Sequence, residues 1–318
     1  MKQKTFASLS YEHKKRVTRR EKFLQEMSAV VPWQRLILLI EPVYPKTGPK
    51  GGRPVMPLAP MLRIYFMQQW FALSDPAMED ALYDSESMRR FAGLELNEDA
   101  LPSDTALLRF RHLLERHGLN EAMLAEVNAL LSERGMLLRE GTIVDATLIN
   151  APSSTKNAKG QRDPEMSQTK KGNQWYFGMK AHIGVDVESG LVHRVVTTTA
   201  KVNDKRCFDE LLHGEERSVW ADRGYDYADI RQRCAERGLF AGIAPRKRPG
   251  EPRWQVDKQI NHLIAKVRAR VAHPFRVLKR QFGYVKTRYR GLAKNTGQIT
   301  TLFGLANLYL ARHRLAVA

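Results

Sequence analysis

The sequence predicts an all-helical N-terminal part, residues 1–135, followed by an α/β part, residues 136–318, built on a mixed sheet flanked by helices. Three observations predict it. Apolar residues recur at helical spacing up to Glu133, the period shortens to that of strands from Gly141, and strands then alternate with helices after an initial hairpin. The 318-residue chain can bury a sizeable core, and its 43% hydrophobic and 8% aromatic content marks it as globular.

In order along the chain, a basic leader gives way to a helix over 20–39, and the Pro- and Gly-rich stretch 42–57 reads as a loop. Residues 61–73 read as a buried helix. Ser74 and Asp75 cap a helix over 76–91, and Ser103 and Asp104 cap one over 105–116. Residues 120–133 repeat the pattern with Met123, Leu124, Val127, Leu130 and Leu131. Thr142 to Ile149 is short, β-branched and bounded by Gly141 and a turn cluster, so it reads as a strand. Residues 178–187 and 191–199 form an antiparallel hairpin through Glu188, Ser189 and Gly190. Then follow a helix at 209–212, a strand at 218–221 ending at Asp222, a helix at 227–237 and a strand at 239–244. A helical region from about Val256 closes the chain, kinked at Pro274.

Charge narrows the partners. The chain has 52 Lys and Arg against 34 Asp and Glu, a formal net charge of +18. The excess is concentrated in 241–318, where Glu251 and Asp257 are the only acids among seventeen cations. Clustered positive charge beyond what folding needs points to a polyanion. The first residues lack the apolar core of a signal peptide, and no greasy run is long enough to span a bilayer. Cys207 and Cys234 stand far apart without a CxxC, which argues against a disulfide framework or a structural zinc site. The expected setting is the cytoplasm, with no membrane partner.

Two acids carry chemistry. Asp145 interrupts an otherwise apolar strand, which is costly unless the charge is paired or bound to a metal; a satisfied structural Asp is the bland alternative. Asp222 lies where a second strand runs out. Carboxylates at neighbouring strand ends can hold divalent cations, and two-metal phosphoryl transfer uses ions roughly 3.5–4 Å apart. Residues 273–295 alternate Arg276, Lys279, Arg280, Lys286, Arg288, Arg290 and Lys294 with Phe275, Phe282, Tyr284 and Tyr289. Such interleaving suits phosphate contacts and stacking on unpaired bases, although Phe275 and Phe282 also read as core. Arg246, Lys247, Arg248, Lys170 and Lys171 are further phosphate candidates.

The stretches GTIVDATLI, DPEMSQTKKGNQWYFGMKAHIGVD, ADRGYD and HPFRVLKRQFGYVKTRYRGLAKN resemble the DDE transposases of bacterial insertion sequences, closest to the insertion-sequence-five group. MLRIYFMQQWFALSDPAMEDALYD resembles the helical domain that precedes the catalytic domain there. The resemblance covers about residues 20 to 310. It implies a ribonuclease H-like catalytic domain over 136–318, with Asp145 and Asp222 as the first two catalytic acids and metal ligands. It also implies an N-terminal domain for end recognition, dimerisation or both. The third acid of the pattern, a Glu separated by three residues from an Arg before it and by six from a Lys after it, falls between Arg268 and Lys279, where this chain has Ala272.

Glu251, Asp257 and Glu165 are weaker substitutes for that acid, and Asp186 reads as structural. The resemblance therefore implies a transposase that has lost one ligand, by an inactivating substitution or by decay. Its members use Mg²⁺, for which Mn²⁺ can substitute, to cut at terminal inverted repeats and join the freed end to target DNA. The implied partners are double-stranded DNA, both repeats and target, and a second copy in at least a dimer. The implied location is the bacterial nucleoid. Lys180 and His182 are candidates for supporting the site. A DNA-binding regulator that occupies the same ends without cutting, and a general nuclease, are the competing readings.

Overall fold

The computed structural model describes residues 11, 13–46, 55–246 and 254–316. Lys247, Arg248 and Glu251 lie outside them, as does the side chain of Asp257. The chain divides into two compact units, Met1–Leu119 with Ala311–Ala318, and Asn120–Leu310.

The first unit is helical: α1 (Arg19–Val30), α2 (Trp33–Ile40), α3 (Leu58–Trp70), α4 (Asp75–Asp84), α5 (Glu86–Ala92) and α6 (Asp104–Arg116). Two stretches that periodicity reads as single helices are each broken in two. Pro32 supplies no amide hydrogen and ends the first; Ser85, at φ −110° and ψ 102°, interrupts the second. Ser74 and Ser103 cap as expected, their hydroxyls accepting from the amides of Ala77 and Ala106. An aromatic cluster of Trp33, Phe66, Trp70 and Phe91, with ring centroids 5.6–5.9 Å apart, fills the interior. Buried Arg111 makes a two-pronged pair with Asp75 at 2.8 and 3.0 Å.

The second unit opens with α7 (Leu119–Glu133), followed by β1 (Gly141–Asn150), β2 (Ser167–Lys171), β3 (Gln174–Asp186), β4 (Val192–Thr199), β5 (Ser218–Ala221), α8 (Ala228–Glu236) and β6 (Phe240–Ile243). After these come α9 (Trp254–Arg268), α10 (Ala272–Arg276) and α11 (Leu292–Leu315). The expected helix at 209–212 is a single 3-10 turn, Asp209–Leu211. β3 is antiparallel to β4, β2 and β1, while β5 is parallel to β1 and β6. The strands run in the order β4, β3, β1, β5, β6, with β2 on the first half of β3. β2 is an extra strand that periodicity missed, because SQTKK has no apolar alternation. Asp222 therefore follows the fifth strand rather than the fourth.

One face of the sheet packs Val144, Val219, Ala221 and Ile243 against Phe208, Leu211, Ile230 and Cys234. β4 is held by two amide side chains. Asn307 accepts from the Val192 amide at 2.8 Å and donates to its carbonyl at 2.7 Å, and Asn128 of α7 donates to the same carbonyl at 3.2 Å. The pair copies what a neighbouring strand would offer, so burying these amides costs little. It also ties α7 to the sheet, where period alone groups it with the helices before it.

Candidate active site

β1 and β5 pair in parallel with Ile143 opposite Trp220. Continued two residues, that register sets Asp145 beside Asp222 on one sheet face, because alternate side chains share a face. Asp145 is 28% exposed in its side chain, and one oxygen accepts from its neighbour Ala146 at 2.9 Å. Burial holds its carboxyl above the usual range; Asp222 and Asp204 push the same way, while the Ala146 amide and Arg268 oppose them. Asp222 caps the turn that follows β5, accepting from the Gly224 amide at 2.7 Å.

The closing helical region covers this edge. Arg268, the last residue of α9, lies 3.9 Å from the Asp145 carboxylate. Lys279 donates to the Thr147 hydroxyl at 2.6 Å and to the Leu148 carbonyl at 3.2 Å. A bridge pairs Asn150 with Lys286, and the Thr287 amide donates to the Asn150 carbonyl at 2.8 Å. Three cation-bearing positions thus meet β1 in sequence, at 145, 147–148 and 150. That stretch spans about 17 Å, the axial rise of about five base pairs. Ala272 falls between the first two of these positions and is exposed. Its helix is not regular: a 3-10 turn, Ala269–Val271, precedes it, and a π turn, Val277–Gln281, follows α10.

A family model described as "Transposase DDE domain" matches residues 137–308, more than half the chain, and a second, "Transposase domain (DUF772)", matches residues 11–113. The chain belongs to the DDE transposases. Its sheet is the ribonuclease H-like one of that domain, flanked by helices and preceded by a helical region. The domain implies an enzyme of the polynucleotidyl transferase type acting on DNA. No helix among the described residues of the transposase is long and apolar enough to cross a membrane.

DDE transposases generally use divalent metal ions, and two carboxylates at adjacent register offer suitable hard oxygens. The set stops there. Among the described residues no group of three His, Cys, Asp or Glu side chains is arranged to hold an ion, and the methyl of Ala272 offers no ligand. The donor set is incomplete, and no metal-dependent step follows from these residues alone.

The weaker substitutes have other work. Glu165 accepts from the Leu292 amide at 2.6 Å and Asp163 from Gly291 at 2.7 Å, so together they cap the N-terminus of α11. Asp186 is fully buried and accepts from the amides of Arg139, Glu188 and Ser189 and from the Ser189 hydroxyl.

Lys180 and His182 both approach Asp204. Lys180 donates to that carboxylate at 2.8 Å and to the Val202 carbonyl at 2.7 Å. His182 is fully buried, with one ring nitrogen 2.8 Å from the Thr198 hydroxyl and the other 3.9 Å from Asp204. Burial, with help from Lys180, pushes its pKa down to about 4, so its ring is neutral. Asp204 is the residue that sequence reasoning missed. Its signal was the VND cluster just after β4, where Asn203 caps a 3-10 turn.

Of the expected DNA contacts, Lys170, Lys171, Arg246, Arg276, Arg280, Lys286, Arg288, Arg290 and Lys294 are exposed. Arg246 is also anchored, donating to the carbonyls of Arg223 and Gly224. Tyr284 corrects the expectation of a stacking ring: it is 3% exposed, its side chain is core, and burial raises its hydroxyl pKa. Phe282 is buried as its core reading requires, and Phe275 packs on Phe303 with centroids 6.1 Å apart.

Proposed function

We propose that this transposase belongs to the insertion-sequence-five group, binds the terminal inverted repeats of its element as a dimer or larger assembly, and cuts them poorly because Ala272 stands at the third-acid position. The observation that carries the reading is the bracketing of residue 272. Arg268 reaches Asp145 and Lys279 reaches Thr147, so the segment between them runs alongside the paired acids. Arg268, Lys279 and Lys286 would meet successive phosphates along β1, with Arg276, Arg280, Arg288, Arg290 and Lys294 on the surrounding surface. In this scheme the helical N-terminal domain, 1–135, recognises the ends, and 136–318 carries the chemistry.

The residues' own contribution is binding and positioning. Asp145 and Asp222 set the place of the scissile phosphodiester, and Lys180 and His182 keep Asp204 beside it. With a Glu at position 272, that side chain together with Asp145 and Asp222 would hold Mg²⁺ or Mn²⁺, which would supply the Lewis acidity for cutting the end and joining it to target DNA. Cleavage of terminal-repeat DNA with Mg²⁺ or Mn²⁺, run beside Ala272→Glu, tests the proposal. A gain of about hundredfold or more in the variant is expected, and equal cutting by both proteins would refute the assignment of residue 272.

A second reading, a DNA-binding regulator that occupies the same ends, is favoured by the incomplete donor set. It predicts that Ala272→Glu restores nothing, while binding to the ends is unchanged.

A further inference from the structure

β1 ends at Asn150 opposite Gly178, and β4 ends at Thr199 opposite Met179. The start of β3 therefore runs past both neighbours and pairs with β2 alone, as a two-stranded ribbon closed by a turn at Gly172, whose φ is +62°. The Phe177 carbonyl accepts from the Ala151 amide at 2.8 Å, a tie at the ribbon's base.

A ribbon needs apolar cover for its large side chains, and this one leaves its largest in water. Trp175 is 66% exposed. It sits directly opposite Lys170, so the indole and the ammonium share one face, while Lys171 stands opposite Gln174. Phe177 lies on the same face, with the Arg162 guanidinium 5.4 Å from its ring centre. From Ser167 to Phe177 the ribbon contains no acid. It also opens towards the basic row along β1: Lys171 is near enough to Lys279 to add to the burial that lowers the Lys279 pKa.

We propose that this ribbon is a base-stacking element, in which Trp175 packs its indole against an unpaired base at an opened DNA end while Lys170 and Lys171 hold the neighbouring phosphates. The inference rests on the DNA reading of the active site and adds the state of the DNA it prefers. Every base offers a π-face, so a stacked indole serves any sequence. In an intact duplex those faces are already covered, and an inserted ring must separate a base step. At an end whose bases have come apart that cost is absent. An exposed tryptophan flanked by cations thus favours opened ends over closed duplex.

Fluorescence anisotropy on the full chain tests this, with a labelled blunt duplex and the same duplex carrying a single-stranded tail. Trp175→Ala should bind the tailed DNA about tenfold more weakly and the blunt DNA within about twofold of the unaltered chain. Trp175→Phe should keep most of the tail preference, and Lys170→Ala with Lys171→Ala should weaken both DNAs alike. The proposal falls if Trp175→Ala binds the tailed DNA as the unaltered chain does, or loses both DNAs equally. It also falls if that variant changes only the oligomer mass by light scattering, which would make the tryptophan a contact between copies. If the unaltered chain binds neither DNA, the DNA reading fails too; if it binds both and Trp175 makes no difference, only the stacking fails.

Discussion

Asp145 and Asp186 lie three rungs apart on one antiparallel ladder, Asp186 at the end of the β1–β3 pairing and Asp145 inside it. Both interrupt apolar strands, and in sequence they look alike. Asp186 has four donors, three amides and a hydroxyl, and no exposure. Asp145 has the amide beside it, a guanidinium at 3.9 Å and two acidic neighbours that raise its pKa. The end at Asp186 also has Thr142, whose hydroxyl lies 3.0 Å from the His193 ring and donates to Glu216 at 3.1 Å. A carboxylate whose donors are all supplied by its own fold stabilises that fold. One left short of them, beside other acids, gives the fold no such support.

The sharpest way to break this comparison is in activity. In an Ala272→Glu background, Asp145→Asn should reduce cleavage of repeat DNA by about hundredfold or more, while the melting temperature holds or rises. The sign follows from linkage: an acid whose folded pKa is raised costs stability as pH rises through that window, so removing the charge relieves the cost at neutral pH. A large fall in melting temperature would mean that Asp145 is structural after all.

Asp186→Ala should do the reverse, losing about 3 kcal/mol or more by stranding buried donors, as read from denaturant midpoints. A smaller contrast separates the two ends by pH. Burial, aided by His213, pushes the His193 pKa down to about 3. Between the unfolded value of about 6.5 and about 3, the unfolded chain binds a proton that the folded chain refuses, so stability falls as pH drops through this range. His193 should contribute a slope approaching ~1 kcal/mol per pH unit, and His193→Gln should remove that share in acid titrations of unfolding while the share of His182 persists. The smallest effect belongs to Lys279→Ala. Its two hydrogen bonds to β1 are worth about 1 kcal/mol, and the salt slope of DNA binding should drop by about one.

Much of the fold was legible because the signals are local. Gly141 and the turn cluster at 150–154 bound β1, and the capping serines mark α4 and α6. The apolar spacing of 20–39 hid the break at Pro32. β2 was not legible, since its polar side chains gain order only from pairing with β3. The basic tail was readable as a tail, yet nothing in its alternation told that Tyr284 points inward while Lys279 reaches Thr147, 132 residues away in sequence.

The sequence by itself determined which residue types are present and which are not. Asp145 interrupts one apolar strand and Asp222 follows another, cations crowd the last quarter, and alanine occupies position 272. Tertiary structure alone decided how each acid is used. Glu165 caps a helix that begins 127 residues later, Asp186 is saturated by a turn, and Asp204 joins Lys180 and His182 near Asp145. The physical reason is that a carboxylate's role depends on how many donors surround it and how dry they are. Those are sums over neighbours distant in the chain, which residue spacing along one strand or helix does not encode.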